Sequence, residues 1–296
     1  MKVSGFTFIR NAIIYDYPVV ESIKSILPLC DEFIVAVGNS EDQTRLLIES
    51  ISDSKIKIID TIWDDTLRKN GEVLALETNK VLAAVSEDST WCFYIQGDEV
   101  LEDGMIEYLK SAMTNYQDNM QVDGFLFKYR HFFGSYDYTG VSNSWYKNEI
   151  RIIRNRIGVS SYKDAQGFRK MDNKKLTVVS LDAHIHHYGW VKDPRSMQQK
   201  QESFNKYWHD DEWMKKNILN ASEFVYEENM TELKKFEGSH PLVIHERIKR
   251  LNWQFSANIT MRRKSFKDII KDLLLKLGIN ASYQNFKVFH HFKKSS

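Results

Sequence analysis

Phe33–Val37 (FIVAV), followed at once by Gly38-Asn39-Ser40, is the stretch on which the fold turns. Five apolar residues without polar alternation read as a strand buried on both faces, and the run stops at turn chemistry. On its N-terminal side, Ser4–Arg10 (SGFTFIR) reads as a first strand. Between the two, Pro18 opens a helix with Val19, Val20, Ile23, Ile26 and Leu27 on one face, and Pro28 closes it. On the C-terminal side come a helical segment, Thr44–Ile51, a strand, Lys55–Asp60 (KIKIID), and helical spacing over Glu72–Val85. Trp91–Ile95 (WCFYI) is a second continuous buried run, and Asp103 is placed to cap a helix reaching about Met113. Strands alternating with helices at this spacing predict an α/β fold, a mostly parallel sheet with helices on both faces. Such sheets bind ligands at the carboxyl ends of their strands. The segments to inspect are therefore Arg10-Asn11, Gly38–Asp42, Asp64-Asp65 and Gln96–Glu99.

The middle of the chain, Asp123–Arg156, is rich in strand formers and aromatics, and from Pro194 onward the pattern turns helical and polar. The expected division is an α/β core over residues 1–193 and a helical C-terminal extension over 194–296. Within the extension, Met197–Trp208 and Trp213–Glu232 read as helices beside an acceptor site, and Phe236–Pro241 as a turn. Arg247–Phe255 and Arg262–Leu277 carry Arg and Lys on helices with apolar faces. Those helices suit either peripheral attachment to an anionic membrane surface or a packing face for the core or a homodimer partner.

Of 296 residues, 42% are hydrophobic and 27% charged, as in ordinary folded proteins. A formal net charge of +1 leaves no global basic field of the kind nucleic acid selects. Cys30 and Cys92 lie in or beside apolar runs too far apart for a metal motif, and read as buried thiols in a reducing compartment. The N-terminal MKVSGFTFIRN has one lysine and only a strand-length apolar run, unlike a signal peptide. No run has the eighteen or so apolar residues of a membrane span. A cytoplasmic protein, with peripheral contact at the inner membrane face as an option, is the expectation.

Four constellations have residue types suited to chemistry. In Tyr94–Leu101 (YIQGDEVL) a buried strand delivers Asp98 and Glu99 into the turn at its carboxyl end. One or two carboxylates in such a place can hold Mg²⁺ or Mn²⁺ against phosphate oxygens, and the cation then stabilises a departing diphosphate. In Asp182–Trp190 (DAHIHHYGW), an extended segment puts His184 and His186 on one face and His187 on the other. One of the three can complete a metal site begun by a carboxylate, while at least two are expected to be packed, hydrogen-bonded strand residues. Asp164, in Tyr162–Ala165 (YKDA), follows a strand and could take a proton from an acceptor hydroxyl. Arg10, in Phe8–Asn11 (FIRN), could meet phosphate with its forked guanidinium or pair with an acid of Trp63–Arg68 (WDDTLR).

The order of these pieces resembles that of family 2 glycosyltransferases with the nucleotide-sugar-binding GT-A fold. Phe33–Thr44 (FIVAVGNSEDQT) is similar to that family's second-strand segment, and Trp91–Leu101 to its metal-binding Asp-x-Asp segment. Glu149–Asn155 (EIRIIRN) with Tyr162-Lys163-Asp164 resembles the Arg-rich strand and the acidic position after it. His186–Trp190 (HHYGW), followed by a lysine-containing helix at Met197–Lys200, resembles the His-Tyr segment of bacterial members that build lipopolysaccharide or capsule. The likeness runs from Ser4 to Tyr207. It implies that Phe8, Arg10 and Asn11 line the nucleotide pocket with Asn39, Asp65 and Arg68 nearby, and that Gln96 and Gly97 contact the donor. It implies a divalent cation, Mn²⁺ or Mg²⁺, on Asp98 and His187, and Asp164 as the base. The partners implied are a UDP- or GDP-sugar and a glycan or lipid-linked acceptor, joined in one inverting displacement during surface polysaccharide synthesis.

Two positions depart from the pattern. The first carboxylate of the Asp-x-Asp segment is Gln96, leaving Glu99 as a substitute ligand or Gln96 as a ribose contact. Gly38 stands where many members carry an Asp that reads the base. The rival readings are a non-catalytic scaffold of the same fold and a nucleotidyltransferase. The latter would need a glycine- and lysine-rich phosphate loop after the first strand, which FIRNAIIYDYP does not supply.

Overall fold

The computed structural model describes residues 1–257, 259 and 284–293. The expected Arg262–Leu277 helix lies outside the described residues. The N-terminal half is the alternating unit foreseen: strands β1 (Val3–Ile9), β2 (Glu32–Gly38), β3 (Ile56–Thr61) and β4 (Trp91–Tyr94), with helices α1 (Val19–Ile26), α2 (Thr44–Glu49) and α3 (Glu72–Ala83) between them. β1 pairs in parallel with both β2 and β4, and β2 with β3.

The FIVAV run explains the layering. Phe33, Val35 and Val37 pack into one apolar cluster with Val19, Ile23 and Ile26 of α1. Ile34 and Ala36 pack into another with Val81 of α3. Successive strand side chains point to opposite faces, so a strand covered on both sides must be apolar at every position.

The second half extends the sheet. β5 (Glu99–Leu101) is short, and α4 (Ile106–Tyr116) adds Leu109, Ala112 and Met113 to the α1 face. The next strands are β6 (Gly124–Phe133), β7 (Tyr138–Gly140), β8 (Asn148–Arg154), β9 (Val159–Tyr162), β10 (Gly167–Lys170) and the long β11 (Lys174–Trp190). The order across the sheet is β3-β2-β1-β4-β8-β6-β11-β10-β9. β8 runs antiparallel to both β4 and β6, whereas β6 and β11 are parallel. This is the mixed α/β sheet with flanking helices that the GT-A resemblance implied.

After residue 193 come α5 (Pro194–Phe204), α6 (Asp211–Asn217), α7 (Tyr226–Asn229), β12 (Leu233–Lys235), α8 (His245–Lys249) and β13 (Phe286–Phe292). The extension is therefore not helical throughout: β12 pairs with β7, and β13 adds a parallel strand beside β11 of the core sheet. Trp213–Glu232 holds the end of α6 and all of α7 instead of one continuous helix, and Arg247–Phe255 is helical only to Lys249. Asp103 caps no helix; its carboxylate accepts from the Leu242 amide at 2.9 Å and ties the extension to the core. Among the described residues, no helix is long and apolar enough to cross a membrane.

Candidate functional site

The carboxyl ends of β1 and β4 open into a cleft of about 490 Å³, roofed by α5 and the turn after it. That volume lies in the range of small-molecule sites. Phe8, Arg10, Gln96, Gly97, Asp98, Asp164 and His187 all line it. Asn11, expected in the pocket wall, is not among the lining residues, nor are Asn39, Asp65 and Arg68, which were expected nearby.

The floor is built on Glu99. It is fully buried and accepts from Arg151 Nε at 2.8 Å, Arg151 Nη2 at 2.7 Å and the Tyr129 hydroxyl at 2.7 Å. The Gln96 amide donates to it at 3.1 Å. Its oxygens are spent on protein donors, so Glu99 does not replace the carboxylate missing at position 96. It closes the Gln96–Glu99 turn from behind, and the preceding side chain, Asp98, faces the cleft. The Gln96 side-chain amide makes long contacts, at 3.4 Å, to the Tyr94 hydroxyl and the Ala165 carbonyl.

Asp98 gathers the cationic and imidazole groups of the site. Lys200 Nζ donates to its Oδ2 at 3.3 Å and to the Gly189 carbonyl at 3.0 Å, and His187 Nε2 lies 3.7 Å from its Oδ1. Lys192, fully buried, donates to the Asp16 carbonyl at 2.9 Å and sits 4.2 Å over the Tyr17 ring. Burial alone would raise the Asp98 carboxyl, but His187, Lys200 and Lys192 outweigh it and hold the group at about 2. Burial and the neighbouring Lys200 push the Lys192 ammonium well down. Burial also lowers the His187 imidazole, against the opposing pull of Asp98 and Glu99. Asp98 is thus ionised and His187 neutral at pH 7, the forms in which both bind metals.

The two groups border a spot that a glycine keeps open. A Cβ on Gly189 would lie 2.8 Å from Asp98 Oδ2 and 2.9 Å from His187 Nε2, so only glycine leaves that spot open. Among the described residues no three His, Cys, Asp or Glu side chains converge. Two protein ligands suit a hard divalent ion that completes its shell with water and substrate phosphate. The other two histidines of the run are structural, as expected for at least two of the three. His184 pairs with Glu102 at 3.1 Å, and His186 with Arg130 at 2.9 Å and the Tyr188 hydroxyl at 3.1 Å.

Asp164 stands in the turn between β9 and β10, where Lys163 and Ala165 both take positive φ (55° and 59°). Burial raises its carboxyl, opposed by a backbone N–H and by Lys163, a shift in the direction a base needs. Gly71 packs against it at φ 65°, and a Cβ there would meet Asp164 and Trp208 at 2.7 and 2.5 Å.

The four residues outside the cleft wall have other occupations. Asn11 is buried at φ 53°, and its side chain accepts from the Glu41 amide at 2.7 Å, setting the turn after β1. Asn39 accepts from the Trp63 amide at 3.1 Å. Asp65 grips Arg10 at 2.6 and 3.2 Å, leaving that guanidinium stacked 5.6 Å from the Trp63 ring. Arg68 donates to the Lys206 and His209 carbonyls at 3.1 and 2.6 Å and to Asp211 at 2.7 Å, holding the roof in place. Position after a strand brings a residue near the cleft but does not decide which way its side chain turns. Tyr17, Trp63, Tyr146, Arg151, Lys200, Tyr207 and Trp208 also line the site. Trp63, Arg151 and Lys200 lie in segments the sequence had marked (WDDTLR, EIRIIRN and Met197–Lys200), and Tyr207 and Trp208 in the one read as flanking an acceptor site; Tyr17 and Tyr146 carried no specific signal.

No protein-family model and no curated protein matches the chain. Among solved structures, TarS of S. aureus aligns at 14% identity and TM-score 0.42, over 75% of this chain and 41% of that one. Glucosyl-3-phosphoglycerate synthase from Mycobacterium tuberculosis, in complex with Mn²⁺, UDP and phosphoglyceric acid, aligns at 18% identity and TM-score 0.30, over 44% of this chain and 43% of that one. 4-Diphosphocytidyl-2C-methyl-D-erythritolsynthase from Anaerococcus prevotii aligns at 12% identity and TM-score 0.38, over 70% and 95%. This chain spans less than half the length of the first two. At these identities and TM-scores the likenesses assign no donor, acceptor, metal or reaction to it.

Proposed function

We propose that the chain is a glycosyltransferase that moves a sugar from a nucleoside-diphosphate-sugar to a hydroxyl of a glycan or lipid-linked acceptor. The observation that carries this reading is the Asp98–His187–Lys200 group, with its glycine-made opening, on the floor of an aromatic cleft that Asp164 also lines. Glycosyl transfer has an oxocarbenium-like transition state in which negative charge grows on the leaving oxygen. A diphosphate departs as an anion and needs positive charge, not a proton donor.

Asp98 and His187 would hold a divalent cation, which supplies Lewis-acid stabilisation of the diphosphate. Lys200 adds a second positive charge that is part of the chain itself. Phe8 and Trp63, 5.6 Å apart, offer apolar faces to the nucleotide beside Arg10, whose direction Asp65 fixes. Asp164, desolvated and raised, would accept the proton of the attacking hydroxyl. With one base and no second carboxylate in the role of acid or nucleophile, the reading is a single inverting displacement. Work on surface polysaccharide, at the inner face of a membrane or in the cytoplasm, completes the proposal.

A thermal-shift screen tests it. UDP, GDP, CDP and dTDP are each added with Mn²⁺, Mg²⁺ or EDTA, since a ligand of the native state raises the melting temperature with occupancy. One nucleotide is expected to stabilise the chain, more with metal than with EDTA. Equal shifts with and without EDTA would remove the metal, and no shift with any nucleotide would favour a non-catalytic scaffold.

A further inference from the structure

His131 is buried next to the candidate cation site, and nothing in the reading above uses it. It lies on β6 in register with His187 on β11, so the two side chains meet across a parallel strand pair. The contact joins His131 Nδ1 to His187 Nδ1 at 3.2 Å. On its other side, His131 Nε2 lies 2.7 Å from the Tyr146 carbonyl oxygen. A carbonyl only accepts, so His131 Nε2 carries a proton. The His131 ring is stacked between Tyr129 and Trp145, at 5.5 and 5.0 Å, with no carboxylate in hydrogen-bonding contact among the described residues. An imidazolium there would be a buried charge without a partner, so His131 Nδ1 is a lone pair.

The rest follows by elimination. The proton in the Nδ1–Nδ1 contact belongs to His187, which donates. With its proton on Nδ1, His187 turns Nε2 towards Asp98. That atom lies 3.7 Å from Asp98 Oδ1, too far for an N–H···O bond, so the geometry leaves Nε2 without a proton. We propose that His131 is a positioning residue: it holds His187 in the Nδ1–H tautomer, so that His187 Nε2 and the Asp98 carboxylate present two unprotonated donor atoms to one cation. The inference rests on the Asp98–His187 reading for the cation, while the tautomer itself is independent of it. Groups behind a metal-binding histidine commonly set its affinity by 10- to 100-fold.

The test uses the full chain, metal-free and ¹⁵N-histidine-labelled, with long-range ¹H–¹⁵N spectra of the imidazoles at neutral pH. His187 is expected as the Nδ1–H tautomer and His131 as Nε2–H. His187 as Nε2–H overturns the proposal. The variant His131→Phe should mix the His187 tautomers and weaken Mn²⁺ binding, measured by titration calorimetry, by about 10- to 100-fold. His131→Gln can accept from His187 with its oxygen and donate to Tyr146 with its amide, so it should keep both properties near those of the natural chain. If His131→Phe fails to fold, the natural chain and His131→Gln still decide: loss of the Nδ1–H tautomer in the glutamine variant also overturns the proposal. A natural chain that shows the expected tautomers but binds no Mn²⁺ would support the relay and refute the metal site instead.

Discussion

Asp164 is the side chain on which the proton balance of the proposed reaction depends. Asp164→Asn keeps its shape and removes its basicity, so transfer should fall by about 10²- to 10⁴-fold while nucleotide binding is unchanged. Activity within a few-fold of the natural chain, in a steady-state transfer assay, would remove Asp164 from the role of base. Gly189 makes a second prediction at this scale. A methyl group at Gly189 enters the gap between Asp98 and His187, so Gly189→Ala should abolish the extra thermal stabilisation that Mn²⁺ gives to nucleotide binding. A Mn²⁺ response equal to that of the natural chain would show that the gap is not where a cation binds.

At the scale of elements, the turn between β4 and β5 is held by a buried ion pair. Glu99 and Arg151 are 0% and 1% exposed, and removing one partner leaves the other charged and unpaired. Arg151→Met should cost about 3–5 kcal/mol in urea unfolding; a loss below about 1 kcal/mol would show the pair to be dispensable. The roof is held differently, by exposed contacts. Arg68→Ala should leave global stability nearly unchanged, speed proteolysis within residues 205–211, and weaken nucleotide binding several-fold. The sequence made the parallel half legible because strands buried on both faces must be continuous apolar runs, as at Phe33–Val37 and Trp91–Ile95. His187 could be placed because strand alternation sets its facing, and Asp98 because it sits in the turn that a buried strand feeds. Glu99 and Arg68 were not, because a neighbour fifty or more residues away, Arg151 or Asp211, claims the side chain. His131 and Gly189 lay inside stretches already singled out, but their roles exist only across the β6–β11 pairing or in the gap it leaves. The strand β13 was hidden because its partner, β11, is more than a hundred residues earlier in the chain.

Over the whole molecule, buried titratable groups set how stability follows pH. Burial pushes Glu149, on β8, up to about 8 from its ordinary 4.5, and its Oε2 has no hydrogen-bond partner among the described residues. Between those values the folded chain holds a proton that the unfolded chain has lost. Glu149 therefore favours the folded state most below pH 4.5, and that contribution is lost as pH rises towards 8, by up to about 1.4 kcal/mol per pH unit. Glu149→Gln should gain stability relative to the natural chain across this window; parallel unfolding curves at pH 5 and 8 would contradict it. Glu32, Asp98 and Glu102 act in the opposite sense: each is held at about 2, so their contribution is present above the ordinary carboxylate range and is lost as pH falls through 2. On the walls of the cleft the scaffold holds Asp98 low and Asp164 raised, as the proposed transfer requires of a diphosphate site and a base. The most direct test is nucleoside diphosphate release from a panel of UDP- and GDP-sugars, with Mn²⁺, by the natural chain, Asp98→Asn and Asp164→Asn. Release from one donor by the natural chain, lost in both variants while Asp164→Asn still binds the nucleotide, is the predicted result. No release from any donor, or release undiminished in both variants, would contradict the account.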